Sequence, residues 1–582
     1  MLFSEVVHYF DQISQHSSRI EITKLLAELY KKANPEEARF ISYLALGTLR
    51  PAHEGVKFNY AEKNIVKVLA SLLEQDPAHV TLQIKQVGDI GLYIRSQKWH
   101  EVNQPITVHG VYTQLCALEN ISGTGSQEEK ARMLKELLEQ LDALSASYIV
   151  SIIIGTMRLG FSDMTILDSL SWMIAGNKSL HNTIENGYNL CADIGLIACT
   201  LKQSGIEAVS QIKPILGIPI RPAAAERLPS AEAIIEKLGP CVAQPKLDGF
   251  RLQIHVKKSD SKPEIWFFSR NLQDMSYMFP DLFEAFAQFN VETVIIEGEA
   301  IVFDEDTGQF LPFQETVKRK RKHNIEEVAE SLPLRLYLFD ILFLNNRSLL
   351  DLTHTERREQ LEKLIQNNSH TRTIQAIEEK YTPTTEALEH YFNEQITRGL
   401  EGLVVKRPDS IYQPGKRNFN WIKLKRHSAG HLDDTIDCVV LGYYFGRGKR
   451  SQFGIGAFLV GVYNPDRDCF ESIAKVGTGL KDTDWVDLKS RLDNIHLPDK
   501  PHNVDCAPEL APDIWVAPEV TVVILADEVT QSPLHAAARG SGKLGLALRF
   551  PRFMGYSIDK QATQATTSHE IRELFDMQYG RT

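Results

Sequence analysis

The sequence predicts a multidomain protein in which an all-α region, an α+β region and a small β-barrel follow one another along the chain. Three observations lead to this fold class. The chain has 582 residues, and one domain averages roughly 150 residues, so several domains are expected. Apolar residues recur at helical spacing up to about residue 213, and strand-like runs follow a proline-rich stretch at 214–230.

The first region, residues 1–213, is dominated by helical periodicity. Apolar side chains at positions i, i+3, i+4 and i+7 lie on one face of a helix. Residues with this spacing include Ile22, Leu25, Leu26 and Leu29. Prolines interrupt helical hydrogen bonding, and four of them mark the first expected boundary: Pro214, Pro219, Pro222 and Pro229.

The second region, residues 214–426, alternates strand-like and helical stretches, as is typical of a mixed α/β domain. The strand-like runs are 250–256, 293–303 and 334–344, and the helical stretches are 355–366 and 385–397. The third region, residues 427–582, has short β-rich runs separated by Gly, Pro and Asp. That pattern is typical of a small barrel.

Charge and cysteine content limit the class of protein. Lys and Arg number 64 and Asp and Glu number 75, a net charge of −11, so any nucleic-acid site must be a local basic patch. The seven cysteines include no C-x-x-C pair, which argues against a zinc ribbon or a disulfide framework and fits a reducing compartment. We find no signal-peptide pattern and no apolar run near the ~20 residues of a membrane span. The expected location is cytoplasmic.

The first candidate site is the run Gln244-Pro245-Lys246-Leu247-Asp248-Gly249-Phe250-Arg251. A lysine at the end of a strand, next to an aspartate and a glycine, combines a nucleophilic amine with a backbone that leaves room for a phosphate. Covalent nucleotidyl transfer needs both features. Taken alone, the run fits an exposed Lys–Asp pair at a turn equally well.

Carboxylates and an aromatic residue lie in the strands that follow. In Glu297-Gly298-Glu299 the period of two places both carboxylates on one strand face. Two like charges so placed favour a cation or a ribose site, with an exposed strand face as the alternative. Phe339 points away from the leucine face of its strand, where it can stack on a base or belong to the core. Glu401 and Lys406 lie at the two ends of an apolar strand.

Lys423 and Lys425 share one face of a further strand. Two ammonium groups this close repel each other unless an anion such as a triphosphate lies between them. The pair therefore indicates a polyphosphate site.

Six segments together give a more specific interpretation. In chain order they are KLDG at 246, SRN at 269, EGEA at 297, LFD at 338, EGLVVK at 401 and WIKLK at 421. This series resembles the ordered motifs of the covalent nucleotidyltransferases, and specifically those of ATP-dependent DNA ligases of the archaeal and eukaryotic replicative type. GTMRLG at 155 and LALRFPRF at 546 extend the resemblance over nearly the whole chain.

The resemblance implies a fold and an activity. Residues 1–213 would form an all-α DNA-binding domain, 214–426 an α+β nucleotidyltransferase (adenylation) domain, and 427–582 a β-barrel with the OB-fold. Lys246 would attack ATP to form lysyl-AMP, and the adenylate would pass to the 5′-phosphate of a nick. The 3′-hydroxyl would then displace AMP, as DNA replication, repair and recombination require.

The resemblance also assigns site residues. The catalytic residue would be Lys246. The nucleotide-binding residues would be Gln244, Arg251, Arg270, Glu299, Phe339, Arg417, Lys423 and Lys425. Glu299 and Glu401 would hold Mg²⁺, for which Mn²⁺ can substitute. The DNA-binding residues would be Arg158, Lys320, Arg447 and Lys449.

The implied partner is nicked duplex DNA, bound by a monomeric enzyme at the nucleoid, and the resemblance leaves a sliding clamp and a nuclear location open. Basic strips at 318–322, 416–417 and 447–450 can neutralise DNA phosphates. Strip 318–322 also fits a nuclear import signal or a solvated loop. The alternatives are an RNA capping guanylyltransferase or RNA ligase, and a non-catalytic DNA clamp.

Two positions depart from the family pattern. Gln244 stands where relatives often have an acidic residue, which bears on recognition of the adenine amino group. Ser557 stands where the last motif normally has an arginine, three residues before Lys560. Because that motif orients the pyrophosphate leaving group, the expectation is either a slower first step or one that relies on Arg549 or Arg552.

We predict that Ser557→Arg speeds self-adenylation, because the added guanidinium supplies the missing partner of the leaving group. The measurement is the rate of lysyl-AMP formation in single-turnover assays. An unchanged rate of lysyl-AMP formation would contradict this prediction.

Overall fold

The computed structural model describes residues 1–16, 18–102, 104–157, 159–259, 262–304, 309–310, 332–368, 373–398, 400–425, 435–446, 448–539, 544–557 and 561–578. Within these ranges the chain forms a helical N-terminal region, an α/β domain with two sheets, and a domain built on a curled sheet. The predicted order of an all-α, a mixed and a β-rich part is confirmed at this level.

The N-terminal region consists of helices with well-defined ends. Asn34 and Glu37 form a capping box, in which each side chain accepts a hydrogen bond from the other residue's backbone amide. Gly155 and Gly176 follow two helices with φ of 76° and 70°, a conformation that favours glycine. The helices are α1 (Phe3–Ser14), α2 (Arg19–Lys32), α3 (Pro35–Ala45), α4 (Glu62–Leu72), α5 (Pro77–Val87), α6 (Ile90–Ser96), α7 (Val108–Asn120), α8 (Ser126–Leu138), α9 (Ala143–Ile154), α10 (Asp163–Ala175), α11 (His181–Leu190) and α12 (Ile194–Ser210).

These helices share one apolar cluster, which extends along the chain from Phe3 to Val209. Phe3 and Leu26 are completely buried there, and each such side chain contributes about 1.5–3 kcal/mol relative to an exposed position. Tyr43 donates a 2.6 Å hydrogen bond to Asp193, which joins α3 to the start of α12. The helices therefore fold as one packed unit.

The α/β domain confirms the predicted strand and helix runs to within one residue for β3, β5, β7, α15 and α16. Its strands are β1 (Ala224–Arg227), β2 (Cys241–Lys246), β3 (Phe250–Lys257), β4 (Glu264–Ser269), β5 (Thr293–Asp304), β6 (Gln309–Phe310), β7 (Leu334–Leu344), β8 (Arg347–Ser348), β9 (Ile374–Ala376), β10 (Lys380–Thr382), β11 (Gly402–Lys406) and β12 (Arg417–Lys425). Its helices are α13 (Ala231–Leu238), α14 (Pro280–Ala287), α15 (His354–Gln366) and α16 (Thr385–Thr397), with a 3₁₀ turn at Ser276–Met278.

The strands of this domain form two sheets. The first has the order β1-β12-β11-β2-β10, with β1 parallel to β12 and the other pairs antiparallel. The second has the order β4-β3-β5-β7-β8, with β6 added to β5 and β9 parallel to β7. Helices α13 and α16 cover one face of the first sheet, so its other face is available for a site.

The C-terminal domain has a sheet that curls around an apolar core and a separate two-stranded sheet formed by Glu528–Ser532 and Gly545–Arg549. The central strand of the curled sheet, Ile436–Tyr444, pairs with three other strands. Register shifts between Val440 and Gly442 and between Val460 and Gly461 increase the bend of the sheet. The strands are β13 (Ile436–Tyr444), β14 (Ala457–Asn464), β15 (Cys469–Val476), β16 (His496–Leu497), β17 (Val504–Asp505), β18 (Ile514–Val516), β19 (Thr521–Leu525), β20 (Glu528–Ser532), β21 (Gly545–Arg549) and β22 (Arg552–Tyr556). The helices are α17 (Asp482–Asp493) and α18 (Ser568–Gln578), with 3₁₀ turns at Gly448–Phe453, Pro508–Leu510 and Ala562–Gln564.

Helix α11 joins the helical region to the α/β domain. Arg221 donates to Asn189 Oδ1 at 3.2 Å, and its guanidinium lies 4.9 Å from the ring centre of Tyr188. Lys416 contacts the carboxylate of Glu185. These contacts fix α11 next to the edge where β1 and β12 pair.

Across the ranges given above, no helix combines the length and apolar composition that a membrane crossing requires.

Glu471 is the buried polar centre of the C-terminal domain, with 1% of its surface exposed. Its Oε1 accepts from Asn464 Nδ2 at 2.7 Å and from Arg467 Nη1 at 3.2 Å. Its Oε2 accepts from the Ala538 amide at 2.8 Å and from Ser568 Oγ at 2.6 Å. One carboxylate thus ties β14, the segment before β21 and helix α18 to β15.

We predict that Glu471→Ala destabilises this domain by about 3 kcal/mol, because several buried donors lose their common acceptor. Hydrogen exchange of the C-terminal domain, with α18 followed separately, measures the effect. Exposed Glu519→Ala in the same domain is the control and should change exchange by less than about 0.5 kcal/mol. Equal protection in the two variants would contradict the prediction.

Candidate nucleotide site

The first sheet places Lys246 at the end of β2, next to Gly402 on β11, which in turn pairs with Lys425 on β12. The next row of the same face contains Gln244, Val404 and Lys423 in the same order. Side chains alternate between the two faces of a strand. The intervening residues therefore point to the covering helices, and they are Cys241, Ala243, Leu403, Val405, Ile422 and Leu424.

The open face of this sheet forms one wall of a cavity of about 500 Å³, and the second sheet supplies much of the remainder. Residues predicted from the sequence that line it are Gln244, Lys246, Arg251, Arg270, Glu299, Phe339, Arg417, Lys423 and Lys425. The tertiary structure therefore brings together the catalytic candidate and all the nucleotide-binding candidates.

Positive charge is concentrated at the Lys246 end of the cavity. The pKa of Lys423 is lowered, first by burial and then by the charges of Lys425, Arg417, Arg270 and Lys246. Each of these neighbours makes the charged form of Lys423 less favourable. An anion with several charges, such as a triphosphate, would relieve this repulsion.

Glu401 balances part of this charge. Its two carboxylate oxygens contact Nζ of Lys246 and Nζ of Lys425. Burial opposes ionisation of Glu401, but the two lysines outweigh burial and lower its pKa. The carboxylate thereby orients the amine of Lys246, a residue that lines the cavity.

The turn after Lys246 is held against the second sheet. A side chain on Gly249 would place its Cβ 2.3 Å from the Ala300 carbonyl oxygen, so this close approach requires glycine. The Gly249 amide donates to Glu299 Oε1 at 3.1 Å. The turn that follows Lys246 therefore also holds the side chain of Glu299, which belongs to the opposite sheet.

Carboxyl groups accumulate opposite the cations. Burial raises the pKa of Glu299 to about 7, and the charge of Asp248 adds to the shift. Burial likewise raises the pKa of Asp248, followed by the charge of Glu401. A cation between these groups would reverse both effects.

Of the two paired glutamates, Glu299 lines the cavity and Glu297 does not. Glu297 is 1% exposed and accepts from Arg251 Nη2 at 3.0 and 3.1 Å and from Tyr412 Oη at 2.8 Å. Arg251 also donates to the Ala223 carbonyl. Its guanidinium therefore lines the cavity while already tied to Glu297, a pairing that the spacing of two does not reveal.

Aromatic rings line another part of the cavity. Phe339 packs edge-on against Trp421, with ring centres 6.1 Å apart. Lys406 Nζ lies 4.2 Å from the centre of Trp421 and donates to the Phe339 carbonyl at 2.9 Å. Burial lowers the pKa of Lys406 to about 8. The sequence placed Lys406 at the end of a motif strand, but it did not predict that this lysine is buried.

Sequence reasoning missed Glu379 and His354, which lie behind Gln244 and come from segments without a motif. From the sequence, Arg549 was expected to contribute only as a substitute for the arginine that is missing at position 557. Arg549, from β21 of the C-terminal domain, does line the cavity, whereas Arg552 pairs with Asp527 at 3.0 Å.

The DNA-binding candidates are not placed by the structure. Arg158, Lys320 and Arg447 lie outside the described residues, as does Lys560 of the last motif. Lys449 belongs to the turn Gly448–Phe453, but its side chain is not among those described.

A search of the described ranges finds no cluster of three or more His, Cys, Asp or Glu side chains arranged to hold a metal ion. Magnesium, however, is often held by one or two carboxylates together with substrate phosphates. Glu299 lines the cavity, and Glu401 contacts the Nζ atoms of Lys246 and Lys425, which also line it.

Comparison with known proteins gives matches over most of the chain. Family models match as the DNA ligase N terminus at residues 2–171, the ATP dependent DNA ligase domain at 222–425 and the ATP dependent DNA ligase C terminal region at 451–560. The probable DNA ligase of Dictyoglomus turgidum is 44% identical over 577 residues, which are 99% of this chain and 97% of that relative. DNA ligase 2 of Thermofilum pendens is 37% identical over 599 residues, with 99% and 97% covered.

The solved structure named Pmar-Lig_Pre has a similar fold. It matches with a TM-score of 0.55 and 17% identity over 96% of this chain and 100% of that chain.

We predict that Glu299→Gln stabilises the protein increasingly as pH rises from 5 to 8 in buffer without nucleotide or divalent cations. Folding raises the pKa of Glu299 from 4.5 to about 7, so the native state binds this proton more tightly than the unfolded state. The wild type therefore loses stability as pH rises through this window, up to about 3 kcal/mol. Glutamine still accepts from Gly249 but does not ionise.

Urea unfolding of both proteins at several pH values measures the difference. A difference that stays constant from pH 5 to pH 8 would contradict the assignment.

Proposed function

Because the chain belongs to the family of ATP-dependent DNA ligases, we propose that it seals nicks between a 5′-phosphate and a 3′-hydroxyl in duplex DNA. The intermediates are lysyl-AMP and DNA-adenylate. One observation carries the proposal: Lys246 lines a cavity that combines a cluster of cations with aromatic rings. These are the features that a nucleoside triphosphate needs.

In the first step, Nζ of Lys246 attacks the α-phosphorus of ATP, a P–N bond forms and pyrophosphate leaves. The amine must lose a proton, and Glu401 is the carboxylate in contact with it. The cations Arg270, Arg417 and Lys423 line the same cavity, where they hold phosphate oxygens. Positioning and charge neutralisation supply most of the acceleration in such displacements.

The next two steps use the same geometry. The 5′-phosphate of the nick attacks the phosphorus of lysyl-AMP, which frees Lys246 and makes DNA-adenylate. The 3′-hydroxyl then attacks the 5′-phosphate and AMP leaves. Lys425 remains beside Lys246 through its contact with Glu401, so positive charge stays at the reacting phosphates throughout.

Mg²⁺, for which Mn²⁺ can substitute, fits this site because the carboxyl groups of Glu299 and Asp248 have raised pKa values beside the phosphate-binding cations. Glu299 and Glu401 are the residues that would hold it. When bound, the metal neutralises charge on phosphate oxygens.

The remaining assignments belong to the same proposal. Residues 1–213 are the helical DNA-binding domain, 214–426 the adenylation domain, and 427–582 an OB-fold domain whose separate two-stranded sheet, β20-β21, carries Arg549 to the cavity. The partner is nicked DNA, and the enzyme acts as a monomer near the nucleoid, with a sliding clamp as an optional partner. Its roles are in replication, repair and recombination.

We predict that Lys246→Ala and Lys246→Arg abolish nucleotide attachment and nick sealing, because neither offers a nucleophilic amine at this position. Intact mass before and after addition of ATP, followed by a peptide map, measures attachment. The matched control is exposed Lys257→Arg, which pairs with Glu264 at 2.7 Å away from the cavity and should leave attachment and sealing unchanged.

The same assay separates the alternatives. Label transferred from α-labelled GTP would indicate capping, sealing of nicked RNA alone would indicate an RNA ligase, and no label from any nucleotide would indicate a DNA clamp. An adduct on a residue other than Lys246 would contradict the proposed mechanism.

A further inference from the structure

A largely buried carboxylate, that of Glu379 with 12% of its side chain exposed, lies directly behind Gln244. Oε2 of Glu379 accepts from Gln244 Nε2 at 2.6 Å and from His354 Nε2 at 2.8 Å. Gln244 is 2% exposed and His354 is 1% exposed. An ionised carboxylate accepts hydrogen bonds but cannot donate them. Gln244 Nε2 and His354 Nε2 must therefore both be donors.

The orientation of the Gln244 amide follows from this contact. Its Nε2 also faces the Phe339 carbonyl oxygen at 3.5 Å, which is a second acceptor. An amide rotated by half a turn would place its own oxygen against these two acceptors, and oxygen atoms repel there. The Oε1 end of Gln244 is therefore the end directed to the cavity that the residue lines.

Glu379 keeps the charge that this arrangement needs. Burial opposes its ionisation, but the hydrogen bond and charge of His354, together with the charge of Lys406, lower its pKa to about 2. His354 is itself fixed by its backbone, whose amide donates to the Ser410 carbonyl at 2.8 Å. The acceptor behind Gln244 is thus constant in charge and in place.

Gln244 lies on the same strand face as Lys246, two residues earlier. With the α-phosphorus at Lys246 and the other phosphates held by Arg270, Arg417 and Lys423, the purine would extend toward Gln244 and the aromatic rings. Adenine carries a 6-amino donor, whereas guanine and hypoxanthine carry a 6-oxo acceptor. An inflexible acceptor at this position distinguishes the two classes.

We propose that Glu379, held by His354, fixes the Gln244 amide so that its Oε1 accepts from a 6-amino purine and repels a 6-oxo purine. This inference rests on the proposed function, in which the base of ATP occupies this cavity. Glu379 and His354 are positioning residues, since they act through Gln244. The role of an acidic residue at this position is thereby taken by a neutral amide whose orientation is locked.

The test compares ATP with inosine triphosphate, which replaces the 6-amino group by an oxo group without adding a 2-amino group. Initial rates of adduct formation on Lys246 are measured by intact mass. We expect the wild type to favour ATP by at least about 100-fold in kcat/KM, since sites built around a hydrogen bond reject analogues that lack it. Comparable rates with the two nucleotides would overturn the proposal.

Variants then test the positioning role. Glu379→Gln lets Gln244 rotate, so the preference should fall at least about tenfold, chiefly through faster use of inosine triphosphate. The control Glu378→Gln changes an exposed carboxylate that pairs with Arg398 at 3.0 Å, and it should keep the wild-type ratio. The double variant Gln244→Glu with Glu379→Gln restores an acceptor toward the base and a donor behind it, and should recover the ratio to within about threefold.

An unchanged ratio in Glu379→Gln, with adduct still formed, would overturn the positioning role and leave the ligase mechanism intact. Absence of adduct from wild type with ATP would instead contradict the proposed function. His354→Gln is the second variant if Glu379→Gln does not fold. It loosens Glu379 without removing its charge, and it should lower the ratio about threefold, whereas an unchanged ratio would count against the proposal.

Discussion

The contact of Glu401 with both Lys246 and Lys425 is the interaction on which the candidate site depends. The open face of the first sheet collects cations that repel one another, as the lowered pKa of Lys423 indicates. One carboxylate at the end of β11 offsets part of that repulsion in the free protein. A triphosphate would supply the remainder, so the sheet is built to be most stable when its anionic substrate is present.

The second sheet supplies a carboxylate, that of Glu299, opposite these cations. Gly249 allows the turn after β2 to lie against Ala300, and this approach carries Lys246 toward Glu299. Burial then makes ionisation of Glu299 unfavourable without a cation nearby. The first sheet therefore favours binding of an anion, and the second favours binding of a metal ion. A complex of a nucleotide with a metal ion would satisfy both.

Behind these sheets a buried ionic network fixes the strands that line the cavity. Arg357 donates to both oxygens of Asp340, at 2.7 and 3.1 Å, and both residues are almost completely buried. Breaking such a pair costs several kcal/mol, because one charge is left unpaired. Lys406 and His354 belong to the same network. The Lys406 side chain is 1% exposed, whereas those of Lys246 and Lys425 at the phosphate end are 23% and 34% exposed.

The sequence by itself determined the order of the three parts, the strands β3, β5 and β7, and the side chains that share a strand face. Period-two alternation is a local property, so Glu297 with Glu299 and Lys423 with Lys425 could be assigned to shared strand faces without a structure. Only the tertiary structure decided how the strands pair, because register depends on bulges and on partners distant in the chain. It paired Glu297 with Arg251, placed Glu379 and His354 behind Gln244, and brought Arg549 from another domain, since local spacing does not encode contacts between residues that are far apart in the chain.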